Sequence, residues 1–150
     1  MRIAVELNGA AVELEADAEE PLLAVLRRAG LASVRPTCGI GVCGACTVLV
    51  DDEPISSCLL LAPLAAGRRL TTLEGLGDDP VQAAFDRLGA YQCGYCTPGM
   101  ILTARALLAR EPDPSPARIR EALAGNLCRC GCYGRIVGAV RAAAGGGSAC

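Results

Sequence analysis

The chain has 150 residues, 14 basic and 16 acidic side chains, a net charge of −2 and only 3% aromatic residues. Without a basic tract or aromatic stacking platforms, the composition excludes an ordinary nucleic-acid-binding domain. The chain has no histidine, which excludes Cys/His zinc fingers, Rieske centres and histidine general bases. A soft metal would therefore be held mainly by thiolates, and the chain has ten cysteines to supply them.

The N-terminal region alternates polar and apolar residues and lacks the charged segment, apolar run and cleavage site of a secretory signal peptide. Its Arg-Arg pairs, Arg27-Arg28 and Arg68-Arg69, lie too far into the chain for a twin-arginine export signal. No uninterrupted apolar stretch is long enough to cross a bilayer. We therefore expect a cytoplasmic protein without a membrane span, in which clustered cysteines more often bind metal than form disulfides.

The first half of the chain is predicted to be rich in strands. Arg2–Leu7 and Val12–Ala16 alternate apolar and polar residues, and the hairpin turn signal Asn8-Gly9 separates them. Pro21 is predicted to begin a short helix that ends at Gly30. Two further strands are predicted at 47–50 and 69–73, with a turn at 51–54. Two strands, a helix, a cysteine loop and more strands suggest a β-grasp arrangement.

The second half is predicted to be helical, which makes the fold class α+β. The predicted helices cover residues 80–88, 98–110, a segment that begins at Pro116 and includes Ile119 and Leu123, and 134–144. The proline-rich segment 111–116 separates the second helix from the third. We expect a first domain at 1–76, a four-helix domain at 77–144 and a disordered tail at 145–150.

The first cysteine group has the spacing Cys38-x4-Cys43-x2-Cys46, and Cys58 follows after eleven further residues. This spacing is typical of the plant-type 2Fe-2S ferredoxins. Glycines alternate with the cysteines and allow the loop to curl around a compact anionic core with its N–H groups directed at the sulfurs. Buried thiols or a zinc site remain the alternative, although Cys-x4-Cys-x2-Cys is not a usual zinc spacing.

The second cysteine group consists of Cys93-x2-Cys96 and, after thirty-one residues, Cys128-x-Cys130. Each close pair could chelate one iron of a binuclear core, and both pairs precede predicted helices, whose N-termini favour anions. By spacing alone, a zinc site remains open here. Cys132 and the terminal Cys150 are left over, and we interpret them as thiols outside the ligand sets.

The two groups together resemble the iron–sulfur subunit of the molybdenum hydroxylases, the xanthine dehydrogenase and carbon monoxide dehydrogenase family. The resemblance covers nearly the whole chain and lies in four segments: CGIGVCGACTVLVDDEPISSCLLLA from Cys38, LTTLEGL from Leu70, PVQAAFDRLGAYQCGYCTPGM from Pro80 and GNLCRCGCYGRI from Gly125. It implies a plant-type ferredoxin-like β-grasp domain followed by a helical domain, each with one 2Fe-2S cluster.

The resemblance also implies the roles of the two sites. In the family, two electrons leave a molybdopterin cofactor on a large subunit, pass through both clusters and usually reach FAD on a third, medium subunit. It implies that Cys93, Cys96, Cys128 and Cys130 hold the molybdenum-side cluster. It implies that Cys38, Cys43, Cys46 and Cys58 hold the flavin-side cluster. Gln92 and Cys130 match residues that approach the pterin in relatives.

The chain departs from the family pattern at two places. Relatives commonly have GNLCRCTGY, whereas Gly131-Cys132-Tyr133 stands here, so the extra thiol leaves Cys132 as an alternative ligand to Cys130. Asp79 occupies a position where relatives often have histidine. No catalytic residue is predicted on this chain, and the competing functions are a free-standing two-cluster electron carrier and a structural zinc protein.

Overall fold

A mixed five-stranded sheet with one helix forms the first part of the chain, and four further helices form the second. The computed structural model describes residues 1–145. Its strands are β1 Arg2–Leu7, β2 Ala10–Glu15, β3 Thr47–Val50, β4 Glu53–Ser56 and β5 Arg69–Thr71. Its α-helices are α1 Leu22–Arg28, α2 Pro80–Arg87, α3 Thr97–Arg110, α4 Pro116–Ala122 and α5 Tyr133–Ala144. The predicted α+β class is confirmed.

The sheet has the strand order β2-β1-β5-β3-β4. Strands β1 and β2 form an antiparallel hairpin, and β5 returns parallel to β1 and antiparallel to β3. Asn8 and Gly9 take φ of 51° and 83°, the left-handed conformation that a two-residue hairpin turn requires. Strand β4 was not predicted; it pairs with β3 at the sheet edge, where Pro54 is tolerated because no donor is needed on the outer side.

The first core lies between the inner face of the sheet and α1. Ile3 and Val5 alternate inward from β1, and Leu22, Val25 and Leu26 meet them from the helix. All five side chains are buried. This core places the segment after α1, which carries the first cysteine group, against the start of β3.

The second core is formed around α3, whose apolar residues are buried on nearly every side. This helix packs against α2, α4 and strand β3, so the helical part also contacts the sheet. Three of its four helices have proline in their first turn, where the missing N–H costs nothing. Asp79 caps α2 by accepting from the N–H groups of Val81 and Gln82.

The boundary between the two parts follows β5. A short 3-10 turn, Leu73–Gly75, leads from that strand into α2; the domain bounds 1–76 and 77–144 stay a prediction. Of the predicted tail 145–150, Gly145 closes α5, and residues 146–150 lie outside the described part of the chain. No helix within residues 1–145 is both long enough and apolar enough to cross a membrane.

Candidate metal centres

The first site is the loop from Cys38 to Cys46, between α1 and β3. Its glycines take left-handed conformations, with φ of 67° at Gly39, 74° at Gly41 and 68° at Gly44. Cys58 follows β4, and the side chain of the next residue, Leu59, covers the loop. A Cβ on Gly41 would lie 2.3 Å from Leu59 Cδ1, but that exposed side-chain end can move, so the positive φ is what requires glycine there. The thiol of Cys58 contacts that of Cys46, which brings the fourth cysteine to the loop.

The electrostatics of the first site favour thiolate at one position. The N–H groups of Ile40 and Cys43 donate to Cys38 Sγ and lower the pKa of that thiol to about 6; the Cys43 bond is 3.4 Å long. Burial and the neighbouring thiol of Cys46 instead raise the pKa of Cys58 to about 11. Because these pKa values differ, the thiols of this set do not all ionise together without a cation. A bound metal would compensate the negative charge of the thiolates.

The second site lies where two loops meet at the starts of α3 and α5. Cys96 directly precedes α3, and Cys128 and Cys130 lie just before α5. The thiols in contact come from opposite loops, because Cys93 meets Cys130 and Cys96 meets Cys128. These contacts arise because the two loops face each other across the site; that each close pair holds one iron stays a prediction.

Backbone N–H groups also reach the second site. The N–H of Tyr95 donates to Cys93 Sγ over 3.5 Å and lowers the pKa of that thiol. Burial opposes ionisation of Cys128, but N–H donors, first among them that of Cys132, outweigh it and lower its pKa. Burial raises the pKa of Cys96 to about 12. Both sites therefore combine N–H donors with buried thiols, as an anionic metal–sulfur core requires.

The thiols of each site lie in contacting pairs. The pairs are Cys38–Cys43 and Cys46–Cys58 in the first site, and Cys93–Cys130 and Cys96–Cys128 in the second. Two pairs of thiols match the ligand set of two irons bridged by sulfide.

The interface between the sheet part and the helical part lies next to both sites. The N–H of Leu127 donates to the carbonyl of Cys43 over 2.9 Å. A Cβ on Gly99, in α3, would lie 2.3 Å from the carbonyl oxygen of Gly44. The buried amide of Asn126 donates to that same carbonyl over 3.2 Å. The loop of the first site is thus fixed directly against the helical part.

A cavity of about 390 Å³ opens between the two cysteine groups. Cys43 lines it from the first loop, and Cys93, Cys96 and Cys128 line it from the second site. Arg129 is the sole Arg, Lys, Asp or Glu side chain in this lining. The second site therefore faces the first-site loop directly.

The remaining predicted residues have clear positions. Gln92 is exposed immediately before Cys93. Cys130 is half-buried, whereas Cys132 is 2% exposed, packs in the helical core and donates its N–H to Cys128 Sγ over 3.4 Å. Cys150 lies outside the described residues. Cys132 therefore belongs to the helical core, and its interpretation as a thiol outside the ligand sets stays a prediction.

Sequence reasoning missed the tyrosines. All three tyrosines of the chain flank the second cysteine group. The hydroxyl of Tyr133 accepts from the N–H of Cys128 over 2.8 Å, and that of Tyr95 donates to the carbonyl of Pro36 over 2.9 Å. In a chain so poor in aromatic residues, their concentration beside cysteines was the sequence signal that could have revealed them.

Two family models match adjacent parts of the chain. Residues 5–72 match the model described as 2Fe-2S iron-sulfur cluster binding domain, and residues 72–141 match the model described as 2Fe-2S binding domain. The nicotinate dehydrogenase small FeS subunit of Eubacterium barkeri is 47% identical over 144 residues, covering 93% of this chain and 92% of that protein. The xanthine dehydrogenase iron-sulfur-binding subunit of Escherichia coli O157:H7 is 48% identical, covering 89% and 88%.

The chain belongs to the iron–sulfur subunit family of the molybdenum hydroxylases. It is an electron-transfer subunit of an oxidoreductase complex with two 2Fe-2S-binding domains. Its relatives are small subunits of molybdopterin-containing hydroxylases. The predicted family, function and cofactor type are confirmed.

Solved structures of this family show the same fold. The structure of quinoline 2-oxidoreductase from Pseudomonas putida 86 superposes with a TM-score of 0.93 at 41% identity, covering 97% of this chain and 94% of that chain. The aldehyde oxidoreductase of Desulfovibrio desulfuricans gives a TM-score of 0.91 at 39% identity. The match covers 95% of this chain but 17% of that one, so there the equivalent unit is part of a much longer polypeptide.

Apolar side chains surround both sites on the surface of this family member. Around the first loop, Ile40, Val42 and Leu59 are 55–68% exposed. Around the second site, the exposed apolar residues are Tyr91, Tyr95, Leu127 and Tyr133. Clusters of exposed apolar side chains mark surfaces at which proteins associate.

Proposed function

We propose that the second site receives electrons from the molybdopterin that the large subunit carries, and that the first site passes them on. The observation that supports a relay between the two sites is their interface: Cys43 and three second-site cysteines line one cavity, and the Leu127 N–H donates to the Cys43 carbonyl. Electron tunnelling weakens steeply with distance, so a short bonded connection between two thiol sets suits a relay.

In this proposal, one 2Fe-2S cluster is held by Cys38, Cys43, Cys46 and Cys58, and the other by Cys93, Cys96, Cys128 and Cys130. When bound, each cluster would store one electron at a time. The chain's own residues fix the thiolates, direct N–H groups at Cys38, Cys93 and Cys128, and bury Cys46 and Cys58 away from water. These are the features by which a protein sets cluster potential.

We further propose that Gln92 and Cys130 are the residues nearest the pterin of the large subunit. Gln92 is exposed and Cys130 half-buried, so both are open to a partner, whereas Cys46 and Cys58 are not. The large subunit would then cover the apolar residues around the second site. This leaves the apolar residues around the first loop for a medium subunit that carries FAD, or for another acceptor.

We assign no substrate-converting residue to this chain. It has no histidine, and its thiols are committed to the two proposed clusters. Substrate chemistry therefore belongs to the large subunit. We propose the cytoplasm as the compartment, because eight ligand thiols must stay reduced until iron is inserted.

Metal analysis of the purified complex tests the cofactor content. We expect about four irons and four sulfides per copy of this chain and two distinct paramagnetic signals after reduction. Zinc in place of iron, or one cluster in fully loaded protein, would contradict the ligand assignment. Co-purification separates a subunit from a free carrier, since a carrier would be isolated alone and a subunit together with the large chain.

The variant Cys43→Ser tests the direction of transfer. Substrate should still reduce molybdenum and the second-site cluster, whereas rapid-mixing spectroscopy should show slower reduction of the flavin or external acceptor. Cys132→Ser is the control, because it makes the same chemical change at a buried thiol outside the proposed sets. Normal acceptor reduction in a Cys43→Ser complex that lacks the first cluster would show that electrons bypass that site.

A further inference from the structure

One side chain from the first domain contacts the loop of the second site. The guanidinium carbon of Arg35 lies 4.9 Å from the ring centroid of Tyr95, within the range of a cation–π contact. Arg35 also donates its backbone N–H to the carbonyl of Ala45, over 3.2 Å. The residue is therefore anchored to the first-site loop by its backbone and to the second-site loop by its side chain.

Tyr95 is fixed at both ends by the residues just before Cys38. Its hydroxyl donates to the carbonyl of Pro36 over 2.9 Å, and its ring lies beneath Arg35. The ring is partly exposed, at 40%, so without these contacts little packing would hold it. Tyr95 lies between two proposed ligands, and its own N–H donates to Cys93 Sγ over 3.5 Å.

We propose that Arg35 and Pro36 position Tyr95 so that its N–H stabilises the second-site cluster, which raises the reduction potential of that cluster relative to the first. The inference rests on the proposed ligand sets. A cluster gains one negative charge on reduction, and N–H donors to the ligand sulfurs favour the more negative state. The fixed cation of Arg35, whose Nε atom is inaccessible to solvent, acts in the same direction.

This role is separate from holding the two parts of the chain together. The interface already contains the buried Asn126 amide, the Leu127–Cys43 hydrogen bond and the close approach of Gly99 to Gly44. Loss of the Tyr95 hydroxyl would leave all three in place. The contact made by Arg35 and Pro36 therefore acts on the geometry of one loop, and its effect should be confined to one cluster.

The test is a redox titration of the purified complex followed by electron paramagnetic resonance, with Tyr95→Phe, Arg35→Met and Arg35→Lys. The signal that Cys130→Ser abolishes identifies the second-site cluster. Tyr91→Phe is the matched control, because the Tyr91 hydroxyl also makes one hydrogen bond, to Asp86, without contacting residues 35–36. Iron content is measured on every sample.

We expect Tyr95→Phe and Arg35→Met to lower the ratio of reduced to oxidised second cluster up to tenfold at a fixed potential, equivalent to about 59 mV for one electron. The first cluster and the Tyr91→Phe protein should titrate as the wild type does, and Arg35→Lys should shift less than Arg35→Met. The proposal is overturned if Tyr95→Phe, fully loaded with iron, leaves the second midpoint unchanged or moves both midpoints equally. Should Arg35→Met fail to assemble, Tyr95→Phe decides alone. A wild-type complex without two clusters would refute the ligand sets instead.

Discussion

The packing of α3 against the first cysteine loop makes one glycine substitution informative. Its expected effect on the free energy of unfolding is opposite to that of an ordinary glycine-to-alanine change in a helix. Replacing glycine by alanine inside a helix normally stabilises a protein by about 1 kcal/mol. At Gly99, however, the added Cβ would lie 2.3 Å from the backbone carbonyl oxygen of Gly44. A backbone atom cannot rotate away, so either the helix or the cysteine loop must move.

The size of the effect follows from these two opposing contributions. Overpacking a tight site costs about 1–3 kcal/mol, and the upper value applies at Gly99 because the neighbour is rigid backbone. Subtracting a helical gain of about 1 kcal/mol leaves Gly99→Ala destabilised by about 2 kcal/mol. Gly138, in α5, is the control, because a Cβ there meets nothing within 4 Å. Gly138→Ala should stabilise the protein by about 1 kcal/mol.

The assay is urea unfolding, followed by loss of the visible absorbance of the clusters. With a slope of about 2 kcal/mol per M, the midpoint should fall by about 1 M for Gly99→Ala and rise by about 0.5 M for Gly138→Ala. Equal increases in the midpoint for both variants would refute this reasoning, because α3 would then not approach the cysteine loop so closely in solution.

Three further predictions concern the interface, the ligands and acid stability. Asn126→Ala removes three buried side-chain hydrogen bonds and should lower the free energy of unfolding by about 3 kcal/mol, about 1 per bond, measured by the same urea assay. Cys132→Ser should retain both clusters by iron analysis, whereas Cys130→Ser should lose the second; the reverse result would exchange their roles. Arg28 lowers the pKa of Glu20 from 4.5 to about 2, so this ion pair stabilises the fold above pH 4.5 and ceases to do so as the pH falls toward 2. The difference in thermal midpoint between wild type and Glu20→Gln should therefore shrink over that interval, and a constant difference would contradict it.

Local patterns in the sequence determined most of the secondary structure. Alternation of apolar residues predicted β1, and a β-branched run predicted β3, at their observed bounds. Proline in the first turn located the starts of α2 and α4. These features depend on near neighbours in the chain, so the sequence contains the information directly. Strand β4 was missed because residues 53 and 54 were assigned to the turn 51–54, and only its pairing with β3 at the sheet edge makes it a strand.

The two cysteine sites also combine features that the sequence predicted with features that only the tertiary structure shows. Cysteine spacing separated the thiols into two groups, because a short loop limits how far apart its ligands can lie, and the family resemblance favoured Cys130 over Cys132; both ligand sets stay predictions. Only the tertiary structure decided that Cys93 meets Cys130, that Arg35 lies over Tyr95 and that Asn126 joins the loop of the first site to the helical part. Such contacts link residues that are far apart in sequence, and no local preference encodes them. They depend on how the sheet and the helices pack together, which sets the environment of each site after the ligands themselves are specified.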